Sequence, residues 1–365
     1  MSKSAAVPAT GSAGREKRAA EILSFILQNV DNHPVDVARL VGKRFSISRQ
    51  MANRYVALLV ADGRLEARGK TRARQYSLRC IVNSCHTIRI AGDTAEDEVW
   101  RHYVAPDLVV LPKHVLKICE YGFTEMLNNV IEHSEADKAK VLVKLDAVKV
   151  RLVVFDYGIG IFSKLARDLD ITDPRVAMME LLKGKLTTAR EHHSGQGIFF
   201  TTRMFDRFSL LSGRLFFTHI EEDDDFLVDT GERNYDSIGT SVAMQISVSS
   251  ARTTSSVFDR FSVPELEGFG RTHVYVKLSA HKDEGLVSRS QARRLVARLE
   301  EFEEVVLDFE GVEMIGQAFA DELFRVFATS HSSVNLRWDN ANSEVARMIR
   351  WVKAGVSAEQ RVLPF

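Results

Sequence analysis

The sequence predicts a multidomain α+β protein, because three stretches of the chain carry different local patterns. Residues 15–79 combine helical apolar spacing with two short alternating segments. A middle stretch combines a long amphipathic helix with strand-like segments, and after residue 270 short strands and helices alternate. The length of 365 residues is enough for two or three domains.

Domain boundaries are predicted where composition and periodicity change. The predicted segments are a disordered lead (1–14), a basic helical domain (15–79), a connector (80–110), a central α/β sandwich domain (111–250), a linker (251–270) and a small α/β domain (271–365).

Composition predicts a globular, soluble protein located in the cytoplasm. The chain is 45% hydrophobic and 27% charged, and no window has the apolar length of a membrane span. The opening segment Met1–Gly14 lacks the apolar core of a signal peptide. Cys80, Cys85 and Cys119 are too few for a disulfide framework, and Cys80, Cys85 and His86 offer too few ligands for a closed zinc site.

Charge is balanced over the whole chain but unevenly placed. Residues 43–79 contain 10 Lys or Arg against 2 Asp or Glu, a local charge of +8 that the other residues offset. The run 221–225 is acidic at all five positions. A basic block in a neutral chain indicates a local contact with a polyanion.

The basic block follows and overlaps a series of predicted helices. Apolar residues at helical spacing predict a first helix over residues 15–30 and a short second helix at Val35–Val41. The third predicted helix, Arg49–Asp62, begins after an N-cap at Ser46 or Ser48. Its inward residues are predicted to be Met51, Tyr55, Leu58 and Leu59.

Two alternating strands are predicted next, at Arg64–Ala67 and Arg74–Arg79, around a tip at residues 69–72. Three helices followed by such a wing resemble the winged helix-turn-helix family. The resemblance implies that the third helix enters the major groove of double-stranded DNA. A winged domain used for protein contacts remains the alternative.

Candidate DNA-binding residues follow from this resemblance. Outward Arg, Gln and Asn side chains on the third helix can pair with base edges, and basic residues of the wing can meet phosphate or the minor groove. The helix candidates are Arg49, Gln50, Asn53 and Arg54, and the wing candidates are Lys70, Arg72 and Arg74.

The central domain contains four short motifs in a fixed order. Glu125, Asn129 and His133 recur at four-residue spacing in F-T-E-M-L-N-N-V-I-E-H, so they share one face of a predicted helix whose other face is apolar. The motif D-Y-G-I-G at residues 156–160 follows, then G-Q-G at residues 195–197 and Gly-Thr at residues 239–240.

These four motifs, over residues 111–248, resemble the GHKL ATPases, the superfamily of gyrase, the heat-shock chaperones, histidine kinases and mismatch-repair ATPases. The resemblance implies that ATP and Mg²⁺ bind here. Asn129 would coordinate Mg²⁺ on the phosphates, and Glu125 would orient or deprotonate the attacking nucleophile. His133 is either a secondary site residue or a C-terminal helix cap.

The resemblance also implies a place for the adenine and the phosphates. Asp156 would accept a hydrogen bond from the adenine amino group, and Thr240 would close the same side through its hydroxyl. Gly158 and Gly160 would allow a tight turn beneath the base. Gly195 and Gly197 would open a helix at 198–205 whose free N–H groups hold phosphate oxygens.

Residues 162–194 would then form the lid over the nucleotide. Its far end carries side chains that could reach the γ-phosphate, and Lys185 is the candidate among them. A solvated lysine on a mobile loop is the alternative interpretation. The cations and hydroxyls at this end are Lys183, Lys185, Thr187, Thr188 and Ser194.

The C-terminal block alternates strands and helices, which predicts an α/β layer. The predicted strands are 272–278, 305–309 and 334–338, and the predicted helices are 288–299, 317–327 and 344–351.

The run V-V-L-D-F-E-G-V-E-M-I-G-Q-A-F-A-D-E-L-F resembles STAS domains, the anti-sigma-factor antagonists. The phosphorylatable serine of such antagonists is missing, since the matching stretch reads Met-Ile-Gly-Gln at residues 314–317. Ser288 and Ser290 are alternative acceptors, although serines before a helix are usually caps. The resemblance implies a protein partner for this domain.

Together these features predict an ATP-dependent, DNA-binding regulator that hydrolyses Mg·ATP. Two alternatives remain open: a protein serine kinase of the anti-sigma-factor type, and an ATP sensor without hydrolysis. Analogy with winged-helix and GHKL proteins suggests a homodimer, on which the composition is silent.

Overall fold

The computed structural model describes residues 10–169, 171, 173–185, 195–221, 223–229, 239–263, 268–279 and 285–359. The chain packs into two units. The first runs to Ser84 and includes residues 143–150 and 247–249, and the second comprises residues 85–142, 151–246 and 250–365. Both units contain helices and strands, in agreement with the predicted α+β class. The second unit holds most of the predicted central and C-terminal segments.

The first unit contains three helices and a hairpin of two strands. Their bounds are α1 (Thr10–Asn29), α2 (Val37–Phe45), α3 (Arg49–Ala61), β1 (Leu65–Arg68) and β2 (Gln75–Leu78). The two strands pair antiparallel, with Leu65 opposite Leu78 and Arg68 opposite Gln75. The core of this unit is formed mainly by Ile22, Ile26, Val30, Val37, Val41, Val56 and Leu59.

Helix α3 differs from the sequence prediction in the direction of its buried face. Ser48 is the N-cap, because its Oγ accepts a hydrogen bond from the backbone N–H of Met51 at 3.2 Å. Met51 and Leu58 were predicted to point inward but are 40% and 52% exposed. The core instead takes the stripe at positions i, i+4 and i+7, which is Ala52, Val56 and Leu59.

A sheet of seven strands dominates the next part of the chain. Its strands are β3 (Val82–Arg89), β4 (Lys138–Leu145), β5 (Lys149–Asp156), β6 (Arg207–Ser212), β7 (Leu215–Ile220), β8 (Asp223–Asp229) and β9 (Thr240–Ser247), in the order β3-β4-β5-β9-β6-β7-β8. On β4, Ala139 and Val141 are buried whereas Lys138 and Lys140 are exposed. This alternation indicates that the sheet buries one face and exposes the other.

Helices of the second unit carry or adjoin the motifs. They are α4 (Glu96–Val99), which continues as a π-helix at Trp100–Val104 and a 3₁₀ turn at Ala105–Leu108, then α5 (Lys113–His133), α6 (Ile161–Leu169), α7 (Pro174–Lys183), α8 (Gly197–Met204) and α9 (Thr254–Phe261). Helix α5 buries the predicted apolar face, including Val115, Cys119, Phe123, Met126, Leu127 and Val130.

Helix α9 lies where the sequence predicted an irregular linker. The Thr253 and Ser256 side chains each accept from the other residue's backbone N–H at 3.1 Å, which forms a capping box. Val257 and Phe261, one turn apart, are both buried. The prediction was wrong here because the polar residues that suggested a linker start a helix whose apolar residues follow.

The C-terminal part forms a parallel sheet with helices between its strands, as the alternation predicted. Its elements are β10 (Ser262–Val263), β11 (Gly268–Phe269), β12 (Arg271–Tyr275), α10 (Arg289–Val296), β13 (Glu304–Asp308), α11 (Gln317–Asp321), α12 (Ala328–Ser330), β14 (Asn335–Asp339) and α13 (Ser343–Glu359). A π-helix at Glu322–Phe327 joins α11 to α12. The parallel sheet consists of β13 between β12 and β14, whereas β10 and β11 form a separate antiparallel pair.

Ser288 caps helix α10, as expected for a serine before a helix. Its Oγ accepts a hydrogen bond from the backbone N–H of Gln291 at 3.2 Å, and the Gln291 side chain accepts from the Ser288 N–H at 2.9 Å. Ser290 lies in the first turn of the same helix, with its hydroxyl 3.0 Å from that of Ser288.

Two smaller findings bear on the sequence expectations. None of the helices within the described residues is long and apolar enough to cross a membrane. Cys80, Cys85 and Cys119 are free thiols, and only Cys119 is buried.

Candidate functional site

A cavity of about 280 Å³ lies in the second unit, where the four sequence motifs converge. Helix α5 provides one wall, the end of β5 and the start of α6 a second, and the start of α8 a third. Predicted site residues that line this cavity are Glu125, Asn129, His133, Asp156, Gly195, Gly197 and Thr240. The fold therefore brings together residues that are up to 115 positions apart in the sequence, from 125 to 240.

Asp156 connects two of the motifs through its carboxylate. It ends β5, is only 2% exposed, and accepts from the backbone N–H of Gly158 at 2.8 Å and from that of Thr240 at 3.1 Å. Burial raises the pKa of Asp156, and the two backbone hydrogen bonds oppose that rise. A buried carboxylate held in this way presents its remaining lone pairs to a ligand that donates hydrogen bonds.

Gly158 and Gly160 shape the loop after Asp156 rather than line the cavity. A Cβ atom on Gly158 would overlap the carbonyl oxygen of Ser134, which also accepts from the Ile159 N–H at 2.9 Å. Gly160 has a φ of +80°, a left-handed conformation that favours glycine. Gly158 therefore allows the loop to pass directly over the C-terminal end of α5, and Gly160 allows the left-handed turn beside Ser212.

Two hydroxyl groups hold the start of helix α6. The Ile161 N–H is 3.0 Å from Oγ1 of Thr240 and 3.2 Å from Oγ of Ser212. The two hydroxyl oxygens lie 3.2 Å apart, because Ser212 on β6 is directly opposite Thr240 on β9. Sequence reasoning missed Ser212, since only the pairing of two strands distant in sequence brings it to the site.

Glu125 is held between helix α8 and an aromatic residue of its own helix. A Cβ atom on Gly197 would overlap Oε2 of Glu125, so the carboxylate lies directly against the first residue of α8. Tyr121 lies one turn before Glu125 and hydrogen-bonds to its carboxylate. Burial, together with this neighbouring charge and hydrogen bond, raises the pKa of Tyr121. Tyr121 is a second site residue that the motif search missed.

Asn129 and His133 follow Glu125 along the cavity wall, one and two turns further. Asn129 can offer a neutral amide oxygen to a hard cation. His133 is the last residue of α5, and its Nε2 lies 3.7 Å from Oε2 of Glu132. Both positions agree with the four-residue spacing that singled them out.

Lys185 is not among the residues that line the cavity. Its Nζ donates to the backbone carbonyl of Glu301 and lies 4.3 Å from the centre of the Phe302 ring. Lys183 is buried in an ion pair with Glu180. The structure thus brings neither lysine to the other motif residues, and Thr187, Thr188 and Ser194 lie outside the described part of the chain.

The candidate DNA-binding residues of the first unit lie on its surface. Arg49, Gln50, Asn53 and Arg54 are all exposed on helix α3, and Lys70 and Arg74 are exposed beside the hairpin. The Arg74 guanidinium lies 5.4 Å from the centre of the Tyr76 ring. The side chain of Arg72 is outside the described part of the structure. Four polar or basic residues of one helix thus form a continuous outward face.

Comparison with known proteins bears on the C-terminal segment. A family model described as a STAS-like domain of unknown function (DUF4325) matches residues 291–346. A search of curated proteins finds no match to the chain. The matched residues run from the start of α10 to the start of α13 and include β13 and β14. The STAS-like character predicted for the C-terminal domain is therefore confirmed for residues 291–346.

Proposed function

We propose that this protein is a Mg·ATP-binding, ATP-hydrolysing regulator that binds double-stranded DNA and whose nucleotide state controls its binding to DNA or to a partner. The observation that supports the nucleotide site most strongly is the convergence of four separated motifs on one cavity. Each motif alone occurs in ordinary turns and helices. Their convergence on one cavity supports the proposal that the four motifs form a single binding site.

The donor set of the cavity fits an adenine nucleotide with its metal. The buried carboxylate of Asp156 provides an acceptor for an exocyclic amine. Asn129 would be the protein ligand of Mg²⁺, and the ion would neutralise charge on the phosphates. The close approach of Gly197 to Glu125 leaves no side chain between the start of α8 and that carboxylate. Backbone N–H groups at a helix start suit phosphate oxygens.

Glu125 would orient or deprotonate the water that attacks the γ-phosphate. The hydrogen bond from Tyr121 fixes the direction of the carboxylate, and positioning of this kind is a large part of catalysis in phosphoryl transfer. The basic first unit would bind the DNA through helix α3 and the hairpin, and the STAS-like domain would bind a protein partner.

The decisive experiment measures ATP binding and phosphate release by the wild type and by Glu125→Ala, each with and without duplex DNA. We expect the variant to bind ATP within a fewfold of the wild type and to release no phosphate. Glu120→Ala is the matched control, because Glu120 is exposed on the same helix. We expect the control to hydrolyse ATP normally.

Three outcomes separate the hypotheses. Normal hydrolysis by Glu125→Ala would rule out the role assigned to Glu125. ATP binding without hydrolysis by the wild type would favour the sensor alternative. A wild-type protein that binds no ATP would overturn the proposed function.

The serine kinase is a second candidate, favoured by the STAS-like match at residues 291–346. Such a domain in the same chain is a natural substrate or partner for an anti-sigma-type kinase. Incubation with γ-labelled ATP tests this candidate. Label on protein supports the kinase, and label only in free phosphate supports the ATPase.

A further inference from the structure

Lys164 gives the cavity a positive charge that the sequence motifs did not reveal. It lies on helix α6, one turn after Gly160, whose carbonyl accepts the Lys164 N–H at 3.1 Å. Among the described residues that line the cavity, it is the one Lys or Arg. Its side chain is only 18% exposed, so most of the side chain is shielded from solvent.

The other charged groups of the cavity make this lysine important for any anionic ligand. Three carboxylic acids, Glu125, Glu132 and Asp156, line the same cavity, together with the imidazole of His133. These carboxylates would repel a ligand with several negative charges unless cations faced it, and one Mg²⁺ would neutralise only part of the charge of a nucleoside triphosphate. Among the described residues that line the cavity, Lys164 on helix α6 is the lysine or arginine that can place a positive charge beside such a ligand.

The ion pair of Lys164 is one that a ligand can replace. Lys164 Nζ lies 3.0 Å from Oδ2 of Asp168. Asp168 also accepts from Nε of Arg167 at 2.9 Å, and the pKa of Asp168 is lowered first by Arg167 and then by Lys164. Asp168 therefore keeps a cationic partner when Lys164 turns away, and no carboxylate is left without one.

We propose that Lys164 is the phosphate-binding cation of this cavity, and that its ammonium moves from Asp168 to the phosphate oxygens of a bound nucleotide. This assignment rests on the proposed function, in which the cavity holds an adenine nucleotide. Lysine is well suited to the task, because its ammonium group acts as a compact charge on a flexible stem.

Binding of a ligand series to the full chain tests the assignment. The probes are Mg·ATP, Mg·ADP, AMP and adenosine, each titrated calorimetrically into the wild type and Lys164→Met. We expect ATP affinity to fall at least about tenfold in the variant, since a hydrogen bond between charged groups is lost, while adenosine affinity stays unchanged. In the series adenosine, AMP, ADP and ATP, the first ligand that binds more weakly to the variant than to the wild type identifies the phosphate that Lys164 contacts.

Two control variants keep the test falsifiable. Lys117→Met removes an exposed lysine of helix α5 that does not line the cavity and leaves both partners of Asp168 in place, so we expect wild-type ATP affinity. Lys164→Arg keeps the charge and should retain the preference for ATP over adenosine, which provides a readout if Lys164→Met folds poorly.

An equal loss of ATP and adenosine affinity in folded Lys164→Met would overturn the assignment, as would unchanged affinity for all four ligands. Either result leaves the proposed function intact, because the wild type still binds ATP. Wild-type protein that binds neither ATP nor adenosine would overturn both.

Discussion

Oε1 of Glu180 and Nζ of Lys183 lie 2.5 Å apart on helix α7, and their side chains are only 4% and 2% exposed. Lys183 Nζ also donates to the carbonyl of Ala297 at 2.6 Å, and Thr272 Oγ1 donates to the carbonyl of Lys183 at 2.9 Å. Leu181, between the two charged residues, lines the cavity. Helix α7 thus contacts the cavity and, through a buried ion pair, the STAS-like segment.

Lys183→Met should destabilise the protein by about 3 kcal/mol, because it breaks the short ion pair of the buried Glu180 carboxylate and leaves it only the more distant Arg298, whose Nε is 3.9 Å from Oε2. Burial already raises the pKa of Glu180 and lowers the pKa of Lys183, while each charge opposes the shift of the other. Urea unfolding measures the loss. The double variant Glu180→Leu/Lys183→Met should recover most of the stability, because both buried charges are then removed.

The matched control for this prediction is Lys185→Met. Lys185 is two residues further along and is only partly buried, with a carbonyl and an aromatic ring as its partners. We expect Lys185→Met to lower the free energy of unfolding by less than about 1 kcal/mol, because no buried charge is left unpaired. Equal losses in the two single variants would show that the ion pair has no special role.

The raised pKa of Asp156 should give ATP binding and folding stability opposite pH dependences. Because the pKa of Asp156 is higher in the folded state than in the unfolded state, proton binding at this group stabilises the fold. This contribution is fully present below the unfolded-state pKa, and it is lost as pH rises through the folded-state pKa. ATP binding should instead weaken as pH falls through the raised pKa, because the carboxylate is then protonated and one acceptor is lost.

Calorimetric ATP titrations and urea unfolding from mildly acidic to neutral pH measure the two effects. In Asp156→Asn we expect ATP binding weaker by about 1–3 kcal/mol and without the wild-type decrease toward acid pH. Asp259→Asn is the control, since Asp259 is exposed on α9 and should leave both profiles unchanged. If Asp156→Asn keeps the wild-type pH profile of ATP binding, that profile arises from the titration of another group.

Gly197→Ala should reduce phosphate release more than ATP binding. The new Cβ would overlap Oε2 of Glu125, so the carboxylate must move from its place against α8. A displacement of about 1 Å at a reacting group can cost about 100-fold in rate. Steady-state phosphate release and equilibrium ATP binding measure the two effects separately.

Gly92→Ala is the matched control for Gly197→Ala, because a Cβ at Gly92 meets no atom within 4 Å. We expect wild-type turnover from this control. Wild-type turnover by Gly197→Ala would mean that the position of Glu125 against α8 is unimportant for the reaction.

The sequence predicts the parts of this site that depend on short motifs. Helical spacing placed Glu125, Asn129 and His133 on one face of α5, as the structure has them. Ser212 and Lys164 were missed, because the first reaches the site by pairing of distant strands and the second by the path of the chain after Gly160. Local patterns carry no information on either event.

Helix α3 shows a different limit of sequence reasoning. Its position and an N-cap at Ser46 or Ser48 were predicted, but the buried face was misplaced because Met51 and Leu58 are larger than Ala52 and Val56. Size favours burial only when the helical phase allows it. The phase is set by the contacts of α3 with α1 and α2, which the sequence of α3 alone does not contain.

The exposed face of α3 and the basic hairpin should contribute differently to DNA binding. Lys70 and Arg74 are predicted to contact phosphates. Replacing both with alanine should therefore weaken binding to all duplexes and reduce by about two the steepness with which the logarithm of the binding constant falls with the logarithm of the salt concentration. Arg54→Ala should instead relax discrimination at one base pair by about 1–3 kcal/mol. Fluorescence anisotropy over a salt series, with duplexes selected from a random library, measures both effects.

Arg39→Ala is the control for the DNA experiments. Arg39 is an exposed cation of the same unit, but its guanidinium is 2.6 Å from Oδ2 of Asp36, so its charge is already neutralised within α2 and its N-cap. We expect an unchanged salt slope. If Lys70→Ala/Arg74→Ala and Arg39→Ala give the same slope as the wild type, the hairpin does not contact phosphates. The first unit would then be assigned to protein contacts, the alternative that its basic charge disfavours.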